Sequence, residues 1–370
     1  MNETFINISK IIERDSKSTT YKFALLRGTI DIIQDNSPFI EFKDNLVKIP
    51  LGLLIEKWLI YYYPLLESEI YIPQINGKSS KIAFQDLFLK IIKYYKNHGG
   101  LSAFYNDLRK NGISEALNED FFKLVKELKS NIVKNPMQFI GNSVNRSKYS
   151  IYNYNNDSTL TNTNVQNTNW LQSNCGSFTI PNDYYKAFKM LGSFISGTDN
   201  ILFKWAEFSV NASNKLLTPE RIFTEILKSP ITDRDADISK KLYKDILSKY
   251  GEIQCVWTGE KITQYEVDHL IPFSIWKNND LWNLLPAKKI INNNKRDKIP
   301  SSELIIKRKD LIIHYWEIIL NAQEERFYQE IQISLLGNHS NLNWQNTAFQ
   351  QLLNTSKYLI ETRGYQQWNI

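Results

Sequence analysis

Apolar residues recur at helical spacing through most of the chain, and that pattern predicts a mainly α protein. Tyr21 to Gln34 carries Phe23, Leu25, Leu26, Ile30, Ile32 and Ile33, a set one helix buries on a broad face. Ile49 to Tyr63 reads as a second helix, with Pro50 at its first turn and Tyr61-Tyr62-Tyr63 at its end. Ile82 to Asn97 reads as a third, stopped by His98-Gly99-Gly100. Phe121 to Val133 is amphipathic and closes before Pro136. From Gly141 to Asn174 the apolar rhythm lapses and Asn, Ser and Thr dominate. Such residues compete for local backbone hydrogen bonds, so a long loop or edge hairpin is expected there. Helical spacing returns at Asn182 to Ile195 and Asn200 to Val210. Thr218 then caps a helix that carries Pro219 in its first turn and runs to Lys228. Asp237 to Tyr250 is a further helix, ended by Gly251.

Beyond Gly251 the pattern changes period. Ile253 to Trp257 and Tyr265 to His269 are short and β-prone, and Thr258-Gly259-Glu260-Lys261 between them suggests a hairpin. Trp282 to Asn294 has helical spacing, with Pro286 delaying the start of the helix. Leu304 to Leu320 and Thr347 to Glu361 complete a helical wrapping, and no internal repeat is visible. The expected division is a helical region over residues 1–215, of recognition or regulatory type, and a second domain over 216–370 with its core at 250–320.

Composition narrows this picture modestly. A chain of 370 residues is long enough for two domains, and 42% hydrophobic residues suffice for substantial cores. The net charge of +6 permits an anionic partner without requiring one. Cys175 and Cys255 are the only cysteines, which excludes a disulfide framework and a cysteine-built zinc site. The N-terminal residues lack the apolar core of a secretory signal. The apolar run from Ile49 to Leu66 is broken by Glu56 and Lys57, as befits a buried helix and not a membrane span. A cytoplasmic protein with no membrane partner is expected.

The chemistry concentrates in Asp268-His269, Asn283 and Asn292. Asp268 supplies a hard anionic oxygen and Asn292 a carbonyl oxygen, ligand types that suit Mg²⁺ or Mn²⁺ with water and phosphate completing the shell. His269 is then available to deprotonate a water. Neighbours on a strand point to opposite faces, so a local turn before Pro272 has to bring Asp268 and His269 to one cavity. Asn283 reads as a loop tie that orients His269. The bland alternative is a hairpin and helix in which His269 only completes the packing.

Together, VDHLIP at 267–272, Asn283, and NNNKRDKIPS at 292–301 resemble the HNH nuclease motif of the ββα-metal fold. The resemblance is nearest to the HNH domain of RNA-guided CRISPR nucleases and covers residues 250–320. It implies Asp268 and Asn292 as metal ligands, His269 as general base and Asn283 as the middle residue of the catalytic set. The third position is Asn where many members have His. The paired cysteines that bind structural zinc in other members are missing, so no structural zinc is expected and packing has to hold the domain.

Lys288, Lys289, Lys295, Arg296 and Lys298, with Lys307 to Lys309 beyond, form a basic run suited to phosphate contacts. Its bland alternative is a solvated helix face. Trp276 and Trp282 read as packing residues that replace the missing zinc. His98 reads as a helix C-terminal dipole partner, His314 as core and His339 as a loop residue. The expected activity is metal-dependent hydrolysis of DNA phosphodiesters in restriction or anti-phage defence, by a homodimer or alongside a partner defence protein. The rival readings are a non-catalytic DNA-binding or scaffold protein with an inactive HNH fold, and an RNA-cleaving toxin.

Overall fold

The computed structural model describes residues 2–15, 17–76, 81–141, 150–193, 195–231, 233–339 and 342–370. They divide into two compact units, Met1–Pro230 and Ile231–Ile370. The division falls later than the 215/216 boundary drawn from sequence, because Ile222 and Ile226 are buried in the core of the first unit.

In the first unit, α1 (Asn2–Arg14) and α2 (Tyr21–Gln34) lead into the short antiparallel strands β1 (Glu41–Lys43) and β2 (Leu46–Pro50). The next helix, α3 (Leu51–Glu67), is apolar nearly all round, with Leu54, Ile55, Trp58, Leu59, Tyr62 and Tyr63 buried, and so forms the centre of the unit. The helices α4 (Gln85–Lys96), α5 (Gly100–Asn106) and α6 (Asn118–Ile132) follow. Strand β3 (Asn153–Asn155), helix α7 (Thr168–Asn174) and strand β4 (Ser177–Pro181) lie within or just after the Asn-rich stretch. Of that stretch, 142–149 lie outside the described residues. The described part is an edge strand followed by a helix, capped where the Asn167 side chain accepts the Trp170 N–H at 2.9 Å. The sheet order is β1-β2-β4-β3, antiparallel throughout. The helices α8 (Asn182–Ser193), α9 (Ile195–Ala212) and α10 (Pro219–Ile226) close the unit. Gly52 is required where α3 meets α7, since a Cβ there would lie 2.2 Å from the Leu171 carbonyl oxygen.

The second unit begins with α11 (Asp237–Tyr250), then β5 (Ile253–Gln254), β6 (Lys261–Ile262), β7 (Glu266–His269), the single turn α12 (Phe273–Trp276), β8 (Leu284–Ala287) and α13 (Lys289–Lys295). Next come β9 (Ile299–Pro300), α14 (Ser302–Lys307), α15 (Lys309–Ala322), α16 (Glu324–Ile331), α17 (Trp344–Glu361) and β10 (Gln367–Trp368), which pairs parallel to β9. Trp257, Trp282, Trp316, Tyr243 and Tyr315 anchor its core. Among the described residues, no helix is long and apolar enough to cross a membrane.

Three expectations are corrected here. The residues 253–257 and 265–269 do not pair with each other. Strand β5 pairs with β6 across the turn, while β7 pairs antiparallel with β8, Asp268 opposite Leu285 and His269 opposite Leu284. Trp282 to Asn294 is not one helix. Its first part is a 3₁₀ turn followed by β8, whose four residues are all buried, and a fully buried strand shows no alternation to betray it. The predicted helix over Leu304 to Leu320 is broken at Arg308, whose guanidinium donates to the Thr258 carbonyl at 2.7 Å. The strand pair β7–β8 followed by α13 is a ββα unit, and the mainly α fold with a small sheet at this site stands.

Candidate active site

Strand β7 ends at His269, where the backbone leaves the sheet, and Asn283 holds that departure in place. Its side-chain Oδ1 accepts the Ile271 N–H at 2.8 Å and its Nδ2 donates to the Ile271 carbonyl at 3.0 Å. The Leu270 N–H donates to the Asn283 carbonyl at 2.7 Å. With no exposed surface, Asn283 does not line the cleft beside it. What it holds is the backbone just after His269.

The turn does what strand alternation alone forbids. Asp268 and His269 line the same cleft, about 880 Å³, together with Asn292 and Asn293 from α13. The Asp268 carboxylate is nearly buried, with Oδ2 accepting the Trp257 Nε1–H at 2.6 Å and Oδ1 accepting from the Lys295 ammonium at 3.0 Å. Lys295 also donates to the His269 carbonyl and lies over the Trp257 ring at 5.4 Å. Burial lowers the Lys295 pKa, and Asp268 opposes that shift.

His269 is also mostly buried, and its ring lies 5.6 Å from that of Phe273. Burial lowers its pKa to about 4, helped by the nearby cations Lys295 and Arg234 against Asp268 and the Asn279 hydrogen bond. The imidazole is therefore neutral at pH 7. His269 Nε2 is 3.3 Å from Asn279 Oδ1, and the Asn279 Nδ2 donates to the Asp233 carbonyl at 2.9 Å. That second bond fixes the Asn279 amide with its oxygen toward the imidazole. Nε2 then carries the proton and Nδ1 keeps its lone pair.

Asn292 is half-buried, and its Nδ2 donates to Glu266 Oε2 at 2.9 Å. The remaining amide oxygen has acceptor capacity for a cation. Among the described residues there is no cluster of three or more His, Cys, Asp and Glu placed to hold a metal ion. The oxygen donors beside His269 that the sequence singles out are one carboxylate, Asp268, and one amide, Asn292, and Asn293 and Asp297 also line the cleft. Asp268 and Asn292 fit a hard cation that retains most of its waters and takes the rest of its shell from a phosphate, as Mg²⁺ does. Lys295 is fully buried, so it meets Asp268 from the interior, and a carboxylate with about four lone-pair sites accepts further partners on its cleft side.

Two members of the basic run, Lys288 and Lys295, are engaged within the fold. Lys295 is buried, contrary to its expected place on the phosphate-binding surface, because its charge is needed beside Asp268. Lys288 forms an ion pair with Glu260, and its backbone N–H donates to Cys255 Sγ at 3.3 Å. Lys289 is exposed and Lys298 half-buried, and neither lines the cleft. Only Arg296 of the set does, at a backbone φ of 54° just past α13. Sequence reasoning missed Arg234 and Lys240, which also line the cleft, and Trp257 and Asn279, which hold its two key side chains. The interval from Asn292 to Lys295 was a usable signal, because residues three apart are neighbours on a helix. Trp282 and Trp276 pack as expected, their rings 5.8 Å apart. His98 binds the Tyr94 carbonyl at a helix C-terminus, whereas His314 is exposed and not core.

Residues 1–226, more than half the chain, match the model of a family described as domain of unknown function (DUF8808). The chain belongs to the DUF8808 family. Residues 255–301 match the HNH endonuclease model, a span that holds Trp257, Asp268, His269, Asn283, Asn292 and Lys295. No solved structure matches the chain. This DUF8808 protein thus carries a C-terminal HNH endonuclease domain, whose ββα unit is β7, β8 and α13.

Proposed function

We propose that this protein is a metal-dependent endonuclease that hydrolyses DNA phosphodiester bonds with His269 as general base. The observation that carries the reading is the meeting of Asp268, His269 and Asn292 in one cleft of the HNH domain. Asp268 and Asn292 are the residues to hold Mg²⁺ or Mn²⁺. A divalent cation there supplies charge stabilisation to the phosphate and the leaving oxygen.

The protein's own groups do the rest. His269, neutral and with its Nε2–H held on Asn279, presents Nδ1 to take a proton from water. With a divalent cation on Asp268 and Asn292, the His269 imidazole would stay in its neutral, base form. Asn283 fixes the backbone that carries the imidazole. Trp257 and Lys295 hold the Asp268 carboxylate from behind. Arg234, Lys240 and Arg296 make the cleft attractive to a polyanion.

The setting that fits such a module is restriction or anti-phage defence in the cytoplasm, with the DUF8808 region selecting the target. One site cuts both strands of a duplex either as a homodimer or in two successive nicks. One observation favours the non-catalytic alternative. The buried Lys295 ammonium already offsets the charge of Asp268, the one anionic ligand in the reading. Plasmid DNA and matched RNA incubated with Mg²⁺, Mn²⁺ or EDTA separate these readings. Metal-dependent DNA cleavage that disappears in His269→Ala supports the nuclease, while cleavage of RNA alone supports the toxin reading. No cleavage of either, or full cleavage by His269→Ala, overturns the proposal.

A further inference from the structure

A second cleft, about 670 Å³, also reaches Asn292 and is lined by Lys240, Lys241, Lys244, Tyr265, Glu266, Val267 and Asn292. It shares Lys240, Val267 and Asn292 with the cleft that holds Asp268 and His269, so the two clefts adjoin at Asn292, midway along α13. The three lysines come from one helix. On the inner side of α11, Ser239 and Tyr243 are buried, and the Tyr243 hydroxyl donates to the Leu284 carbonyl at 2.8 Å. The Tyr265 hydroxyl donates to the Lys240 carbonyl at 2.8 Å. Docked this way, α11 turns Lys240, Lys241 and Lys244 along the groove.

The charges there are available. Lys240 makes an exposed pair with Asp237 at 3.2 Å, which solvent weakens. Lys241 and Lys244 are exposed and have no ion-pair partner among the described residues. Three acidic residues line the two clefts: Glu266 is engaged by Asn292, Asp268 by Lys295, and Asp297 is exposed at the rim of the larger cleft, away from the three lysines' groove. Lys240 and Lys244 are one helical turn apart, about 6 Å along the axis. That is a spacing at which two ammonium groups meet neighbouring phosphates of one strand.

We propose that α11 is the phosphate rail of the nuclease, binding the backbone of the scissile DNA strand through Lys240, Lys241 and Lys244 and delivering it past Asn292. The rail adds to Arg296, the member of the predicted basic run that lines the adjoining cleft, while Lys295 of that run is committed to Asp268. It rests on the nuclease reading of the adjoining cleft, and it is sequence-independent because phosphate contacts carry no base information.

The test is the binding of fluorescein-labelled duplex and single-stranded DNA in EDTA, from 50 to 200 mM salt, so that no cleavage interferes. The proteins are wild type, K240A/K241A/K244A and the charge-keeping K240R/K241R/K244R. Each phosphate contact adds roughly 0.7–0.9 to the slope of log Kd against log salt, so the alanine variant should lose about 2 from that slope. Its Kd at the upper end of that range should rise by at least about tenfold. The arginine variant should keep both, and circular dichroism melting checks that all three fold alike. A wild-type slope in the folded alanine variant overturns the rail, as does a wild type that binds no DNA. Cleavage by wild type with Mg²⁺ is scored separately. A slope change without wild-type cleavage sinks the nuclease reading and leaves the rail, and cleavage without a slope change does the reverse.

Discussion

Each unit buries a carboxylate against a lysine, and the two pairs serve different ends. In the first unit, Asp15 accepts from Lys22 at 2.7 Å and from the Gly141 N–H at 2.8 Å, its side chain wholly enclosed. The pair fastens the chain just after α1 to α2, and the Gly141 bond ties it to chain more than a hundred residues away. In the second unit, Asp268 is held by Lys295 and Trp257 but keeps an edge on a cleft that also receives His269 and Asn292. Burial and pairing alone therefore do not mark a site. What separates Asp268 from Asp15 is an open face shared with a neutral imidazole and a second oxygen donor.

The sharpest way to break that contrast is at the base. General-base catalysis is worth on the order of 10²–10⁴-fold, so His269→Ala should lose that much metal-dependent cleavage while its melting curve stays close to wild type. If cleavage persisted, the open face of Asp268 would mean no more than the closed one of Asp15.

Removing the carboxylates tests the pairs themselves. Asp268→Ala leaves Lys295 buried without its anion, and Asp15→Ala deprives Lys22 and the Gly141 amide. Breaking a buried pair costs about 3–5 kcal/mol, so both variants should melt early in denaturant titrations. Only Asp268→Ala should lose cleavage under conditions where the protein is still folded. Adding Lys295→Met to Asp268→Ala should restore stability and leave cleavage absent. Restored cleavage in that double variant would remove Asp268 from the reaction.

The same contrast explains what the sequence discloses. The helix Tyr21–Gln34 is legible to the residue, because an amphipathic face repeats every turn and needs no distant partner. The motif from Asp268 to Asn292 is legible because its residue types are unusual together. Strand β8 is not, since Leu284 to Ala287 are buried on both faces and their partner lies across an excursion through α12. The fate of Lys295 is hidden for another reason. A lysine within a basic run reads as solvated, and only the fold shows that its charge is needed beside Asp268. Nor do Lys240, Lys241 and Lys244 announce themselves, because their nearness to Asn292 is made by the docking of Tyr243.

Buried glutamates extend the comparison. Glu56 of α3 is enclosed in the first unit and its pKa is raised by burial, in a helix that packs the core. Glu330 of α16 is enclosed in the second, and burial, with Asp280 nearby, raises it to about 7. Its Oε2 accepts the Leu281 N–H at 2.6 Å, at the start of the turn that leads to Asn283. A raised carboxylate pKa means the native state keeps its proton after the unfolded chain has released its own. Stability should therefore fall as pH rises from about 4.5 to about 7 and level off above, by roughly 3 kcal/mol for this group. Glu330→Gln should flatten that part of the profile in denaturant titrations between pH 5 and 8. An unchanged slope would show that Glu330 is ionised throughout.

The smallest effect probes how the loop before Asn283 reaches the base. Asn278 Nδ2 and Ser334 Oγ both donate to Asp280 Oδ2, at 2.7 and 2.8 Å, so the residues flanking Asn279 are fixed. Asn279 in turn fixes the His269 tautomer through its oxygen. Asn279→Ala leaves the imidazole free to turn and to place either nitrogen toward the cleft. A loss of about ten- to a hundredfold in kcat is expected, as for a misplaced catalytic group, with little change in DNA affinity. Asn279→Asp keeps an oxygen acceptor facing Nε2, so it should retain the tautomer and raise the His269 pKa. Its cleavage should recover toward wild type at neutral pH and fall off at a higher pH than wild type on acidification. If alanine and aspartate behave alike, the contact only packs, and the base owes its orientation to Asn283 and Phe273 alone.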